Sequence, residues 1–125
     1  SDLLKKFYDN TLKHCVSAVE ALDKAIELQP SVVCNWKLLG DIFCLLHALP
    51  QYLQMNGIKV PTRLLRNDPA EGSTAASLDE VLSLASKCYS AAVQLKPEDS
   101  SLWHDLGLSL YFHSKYLTKL KKQNL

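Results

Sequence analysis

Apolar side chains recur three or four residues apart at Leu4, Tyr8, Leu12, Cys15, Val19, Leu22 and Ile26, the stripe of an amphipathic helix. The spacing predicts a helix over 3–28, stopped by Pro30, because proline offers no N–H to continue the ladder. A second, more apolar helix is predicted over 32–49 and ends at Pro50. Ser77 and Glu80 stand at capping-box spacing, in which each side chain satisfies an open backbone N–H of the other residue. That signature opens a third helix over 78–96, which Pro97 stops. A fourth is predicted over 101–119, with Lys115, Lys119, Lys121 and Lys122 near its end, where the helix dipole favours cations. No segment alternates as a half-buried strand does, so residues 1–125 read as a single all-α array.

Between the second and third helices, residues 50–77 hold three of the five prolines and two of the four glycines. A connection this long inside a compact domain is either functional or unstructured. The expectation is an inserted loop, with one short turn at "RLLR", that serves docking and is dispensable for the fold.

Moving along the chain by 67 residues brings many positions into one register. Ala18 meets Ala85, Leu22 meets Tyr89, Ala25 meets Ala92, and Pro30 meets Pro97. Trp36 then meets Trp103, Leu39 meets Leu106, and Gly40 meets Gly107. A glycine inside a helix costs about 1 kcal/mol relative to alanine. Its recurrence within W-x-x-L-G therefore points to a place where two helices come close. The expected neighbours of Gly40 and Gly107 are small residues such as Ala18 and Ala85, with each Trp filling a wider gap.

These residues resemble the tetratricopeptide repeat, a helix-turn-helix unit of about 34 residues with W-x-x-L-G-x-x-Y on its first helix and small residues on its second. The resemblance implies an all-α solenoid fragment of such hairpins. Ala18, Leu22, Ala25 and Pro30 fall on the second helix of one repeat, and Trp36, Leu39, Gly40 and Phe43 on the first helix of the next. Ala85, Tyr89, Ala92 and Pro97 complete that middle repeat, and Trp103, Leu106 and Gly107 open a third. Leu110 stands where the family usually has Tyr. The Trp-to-Trp distance of 67 exceeds one period of about 34, which places an insertion between the two helices of the middle repeat. Were the extra residues a degenerate whole repeat, a Trp near residue 70 and a Pro near 64 would be needed, where Ala70 and Leu64 stand.

Composition adds exclusions. With 47% apolar residues, 22% charged residues and a net charge of +1, the chain reads as one soluble globular domain without the basic footprint of a nucleic-acid binder. Lysines at the end of the fourth helix fit a solvated helix terminus better than a nucleic-acid patch, because Tyr116 is their one aromatic companion. No run is long and apolar enough to span a bilayer, and the N-terminus has no signal-peptide core. The lack of an initiator Met predicts a processed product or a segment excised from something longer. Cys15, Cys34, Cys44 and Cys88 show no C-x-x-C spacing and read as small buried hydrophobes of a reducing compartment, cytosol or nucleus. His14, His47, His104 and His113 lack metal-binding spacing, and no triad, P-loop or dinucleotide fingerprint is present. The expectation is a binding module with no catalytic residue, metal, cofactor or small-molecule substrate.

The tetratricopeptide resemblance implies where a partner binds, since first helices of these hairpins line a concave groove. Carried over by position, that surface comprises Cys34, Lys37, Asp41 and Cys44, then Ser101, His104, Leu108 and Tyr111. Family members that grip a C-terminal carboxylate use Lys followed four residues on by Asn. Here Lys37 is followed by Asp41, which repels an anion, and His104 by Leu108, which cannot donate a hydrogen bond. The order "NWKLLGD", a Pro/Gly-bearing insertion, "CYSAAVQL" and "LWHDLGLSLYFHSKYL" also looks like the C-terminal half of the tetratricopeptide scaffold subunits of superkiller complexes, over residues 13–117. That likeness implies protein partners, an RNA helicase and WD-repeat subunits, and a part in exosome-mediated cytoplasmic mRNA decay. The alternative is a stand-alone adaptor that takes a short peptide in its groove.

Overall fold

The computed structural model describes residues 1–50, 57–66 and 71–123. Its elements run, in order, α1 (Asp2–Leu28), α2 (Val33–Leu45, prolonged by a 3-10 turn at Leu46–Ala48), β1 (Ile58–Pro61), α3 (Thr62–Arg66), β2 (Ser73–Ala76), α4 (Leu78–Leu95) and α5 (Ser100–Gln123). The four long helices form an all-α array of consecutive antiparallel hairpins in which α2 packs on both α1 and α4, and α4 on α5. Ser1 caps α1 by accepting from the Leu4 N–H, and the Ser77–Glu80 capping box is complete at the start of α4.

The 67-residue register is visible in the backbone and in the side chains. Helix α1 ends when the Gln29 N–H donates to the Ala25 carbonyl at 2.9 Å, and α4 ends when Lys96 donates to Ala92 at 3.0 Å. Each following turn is then tied by a tryptophan. The Trp36 indole N–H donates to the Pro30 carbonyl at 2.7 Å, and that of Trp103 to the Pro97 carbonyl at 2.8 Å. The indole is thus more than an apolar filler, because it satisfies a carbonyl that the proline turn leaves without a helical partner. The crossings differ in chemistry: Val19 of α1 belongs to the buried core on which Ile42 of α2 packs, whereas the equivalent Ser86 of α4 and Ser109 of α5 share a hydrogen bond of 3.0 Å.

Gly40 has a different neighbour from the small residues the sequence suggests. A Cβ built there would lie 2.8 Å from Cε1 and 2.9 Å from Cζ of Tyr89. The glycine makes a notch for a flat aromatic ring, so α2 and α4 close by fitting large against absent. Leu39 and Phe43 flank the notch and are fully buried. The equivalent Gly107 has nothing within 4 Å of its Cβ position, because none of the described helices packs on that face of α5.

The insertion also departs from the expected loop. Residues 51–56 and 67–70 lie outside the described residues, but the remainder contains a two-stranded antiparallel sheet with Ile58 opposite Ala76 and Val60 opposite Thr74. Ile58, Val60 and Ala76 are buried in the same core as Val19, Leu39 and Phe43, so this segment is structural. The Thr62 and Thr74 hydroxyls join at 2.7 Å. Gly57 is held at φ +78°, where L side chains are rare, and its Cβ position lies 2.9 Å from that of Ala75. Arg63 of α3 fastens the insertion to α1. Its Nε donates to both Asp23 carboxylate oxygens at 3.1 Å, its Nη2 donates to the Asp23 backbone carbonyl at 2.9 Å, and its Nη1 pairs with Glu27.

Two outcomes follow from this packing. Gly40→Ala should lower the melting temperature, since overpacking costs about 1–3 kcal/mol and outweighs the gain in helix propensity of about 1 kcal/mol, whereas Gly107→Ala should raise it. Thermal melts of the two variants with the same sign of shift would contradict the Tyr89 notch. Arg63→Ala should destabilise by about 2–4 kcal/mol in urea unfolding, because it leaves the buried Asp23 carboxylate without its partner. Adding Asp23→Asn to that variant should restore part of the loss, and a double variant weaker than Arg63→Ala alone would contradict the pairing.

Candidate functional site

Helix α2 places Lys37 and Asp41 one turn apart, where i,i+4 side chains meet. Their Nζ and Oδ2 lie 2.6 Å apart. Lys37 also reaches Asp105 of α5 at 3.5 Å. The second oxygen of Asp41 accepts the Tyr89 hydroxyl proton at 2.5 Å. One carboxylate therefore binds a lysine of its own helix and the tyrosine whose ring fills the Gly40 notch. Chemistry at this place is inseparable from the Gly40–Tyr89 contact between α2 and α4.

Beside this network, Asp41, Cys44, Tyr89, Asp105, Leu108 and Phe112 contribute to a shallow cleft of about 300 Å³ between α2 and α5. His47 stacks on Phe112 at 4.6 Å between ring centres and uses Nδ1 to contact the Cys44 carbonyl. A larger groove of about 920 Å³ opens between β2, the start of α4 and the last turns of α5, with Ala75, Ser77, Glu80, Lys115, Tyr116 and Lys119 on its walls.

Of the eight positions carried over from the concave surface, Asp41, Cys44 and Leu108 line the cleft together, and Lys37 joins them through its ion pairs. The other four stand elsewhere. Cys34 is exposed near the start of α2, and the Ser101 hydroxyl is spent on Asp99 Oδ1 at 2.6 Å. His104 is exposed. Tyr111 turns outward with Lys115 Nζ 5.6 Å from its ring centre. Sequence reasoning omitted Asp105, His47, Ser109 and Phe112, whose relevance comes from α5 crossing α2 and has no local signal. Tyr89 was legible as a repeat position but not as the hydroxyl that binds Asp41.

Burial, followed by the bond to Asp41, pushes the Tyr89 phenol above its ordinary value of 10.0. The bond to Asp41 raises the Lys37 amine above 10.5. Burial raises the Cys44 thiol as well, which leaves it protonated and a poor nucleophile at neutral pH. Burial pushes the Cys88 thiol up from 9.0 to about 12.

The repeated proline turn with its indole bond, and the small-residue helices packed on W-x-x-L-G helices, define the class: the chain is a tetratricopeptide-repeat protein. No protein-family model matches it. It is similar to tetratricopeptide repeat protein 37 of Xenopus laevis, 36% identical over 80% of this chain and 6% of that protein. It is also similar to superkiller complex protein 3 of Mus musculus, 32% identical over 77% of this chain and 6% of that protein. Tetratricopeptide repeat protein 5 of Bos taurus is 27% identical over 98% of this chain and 31% of its own length. The chain thus spans a small part of each of these relatives.

The shifted groups give the fold an alkaline limit. Because folding raises the Cys88, Tyr89 and Lys37 values, the folded state holds these protons more tightly than the unfolded chain. Their contributions are complete below the unfolded values of 9.0, 10.0 and 10.5 and are lost as pH rises toward the folded ones. Urea midpoints should therefore fall between pH about 9 and about 12. Tyr89→Phe should cost about 1–2 kcal/mol at neutral pH and flatten the alkaline decline, and an unchanged pH slope in that variant would speak against the Tyr89–Asp41 bond.

Proposed function

We propose that this chain is a non-catalytic protein-binding element of a tetratricopeptide scaffold, and that the cleft between α2 and α5 receives the partner. The observation that carries the reading is the cleft itself. Leu108 and Phe112 give it apolar lining, and two of its carboxylates, Asp41 and Asp105, share the neighbouring Lys37. Such a surface suits a partner segment with one apolar anchor and a neighbouring Lys or Arg, and it disfavours a bound carboxylate.

The similarities to tetratricopeptide repeat protein 37 and superkiller complex protein 3 support a narrower reading. In it, the chain works in a superkiller-type scaffold that holds an RNA helicase and WD-repeat subunits in the cytoplasm and assists exosome-mediated mRNA decay. Contact with those proteins is its task, without a nucleic-acid site, membrane or cofactor of its own.

Leu108 is partly exposed and its side chain takes no part in the ion-pair network, so Leu108→Glu should preserve helical circular dichroism. The variant should weaken association with the superkiller helicase or WD-repeat subunits by more than about tenfold, or about 1.4 kcal/mol, measured by titration calorimetry against the parent chain. Equal affinity of variant and parent would remove the cleft from the interface. No binding of the parent to either subunit would overturn the superkiller assignment.

A further inference from the structure

The two outer edges of the insertion's sheet are unlike. In an antiparallel pair, opposed residues alternate between those that exchange hydrogen bonds and those whose backbone groups point away from the partner strand. The Thr62 N–H donates to the Gly72 carbonyl at 3.0 Å, which sets the phase. Val60 with Thr74 and Ile58 with Ala76 are then the bonded pairs, and Lys59, Pro61, Ser73 and Ala75 direct their backbone groups outward. On β1 that outward edge carries a proline, which has no N–H to offer, and a lysine, and both discourage a further strand. Helix α1 also packs on β1.

Strand β2 has neither obstacle. The outward N–H and C=O groups of Ser73 and Ala75 meet no partner among the described residues. Those of Ser77, next in the alternation, are used in starting α4: its N–H donates to Glu80 and its carbonyl accepts the Val81 N–H. Open backbone groups in such a row are a template for another strand. The groove of about 920 Å³ lies along this edge, with Ala75 and Ser77 on one side and the last turns of α5 on the other.

Charge in the groove indicates what such a strand must carry. Lys115 and Lys119, one turn apart on α5 and both exposed, face a single carboxylate, Glu80, and one oxygen of that carboxylate is already taken by the Ser77 N–H. The balance is positive. Leu78, Tyr116 and Leu120 supply the apolar lining.

We propose that the β2 edge receives an extended acidic segment of a partner protein, which adds to the sheet as a third strand. Lying about 4.8 Å from β2, it enters the groove and bonds the backbone of Ser73 and Ala75. Its Asp or Glu side chains meet Lys115 and Lys119, and its apolar side chains meet Leu78, Tyr116 and Leu120. Main-chain bonds then give affinity, and the alternating side chains give selectivity. The surface does not rest on the Asp41–Asp105 cleft and has the opposite charge preference.

The probe is an end-blocked octapeptide of alternating Val and Glu, titrated into the intact chain by calorimetry, with residue-resolved amide hydrogen exchange as a second readout. The peptide should bind saturably and slow exchange at Ser73 and Ala75 by more than about tenfold. A peptide with Lys in place of Glu should bind at least about tenfold more weakly, and so should the acidic peptide to the double variant Lys115→Glu/Lys119→Glu. Leu108→Glu, altered in the cleft, should bind the acidic peptide as the parent does. Absence of binding, equal affinity for the two peptides, or binding that leaves the Ser73 and Ala75 amides unchanged overturns the proposal. Loss of binding in Leu108→Glu also overturns it, by moving the peptide to the cleft. So does slow exchange at these amides before peptide is added, which would mean that the chain itself or, where the slowing grows with chain concentration, a second copy covers the edge.

Discussion

The contact between the Gly40 notch and the Tyr89 ring is the constraint on which the remaining architecture depends. A ring can lie flat against a helix backbone only where the side chain is missing, and its hydroxyl must find a partner once buried. Asp41, next to the notch, supplies that partner at 2.5 Å and is itself steadied by Lys37. Close approach of α2 and α4 thus brings a buried phenol, a carboxylate and an amine into one network. Without the bond, the tyrosine would carry an unsatisfied hydroxyl into the core, at a cost of the order of 1–3 kcal/mol.

From that contact the cleft follows. Because α4 is held against α2, α5, which packs on α4, also comes to lie beside α2. Asp105 then reaches Lys37, and Leu108 and Phe112 border Asp41 and Cys44. The proposed partner surface is therefore a by-product of hairpin stacking, as in helical-repeat proteins generally, where each unit contacts only its neighbours. The insertion serves the same stacking from outside. Its strands cover the core with Ile58, Val60 and Ala76, and Arg63 ties it to Asp23. A long connection carries only a slowly growing closure cost, and burial of these side chains offsets it.

The repeat also explains why equivalent residues have unequal surroundings. Trp36 and Trp103 make the same indole bond to a proline carbonyl, and that bond is local, complete within one turn. Burial of the rest of each helix face is not local. It depends on whether a further helix is present, and among the described residues none packs on the side of α5 that corresponds to the α4 side of α2.

Helical stripes, proline stops, the capping box and the 67-residue register were all determined by the sequence, because each rests on spacings within one helix or on direct comparison of segments. These suffice for hairpins of the tetratricopeptide kind. Other features needed the tertiary structure. That Gly40 receives Tyr89 rather than an alanine depends on the rotation of α4 against α2, which small-residue spacing leaves open. The strands at Ile58–Pro61 and Ser73–Ala76 are four residues each, with too few alternating positions to register as a pattern, and they exist by pairing with each other and covering α1. Of the cleft, Lys37, Asp41, Cys44 and Leu108 were legible from repeat position, whereas Asp105, His47 and Phe112 were not. The difference is physical: periodicity fixes which way a side chain points from its own helix, but only packing decides what another helix brings to meet it.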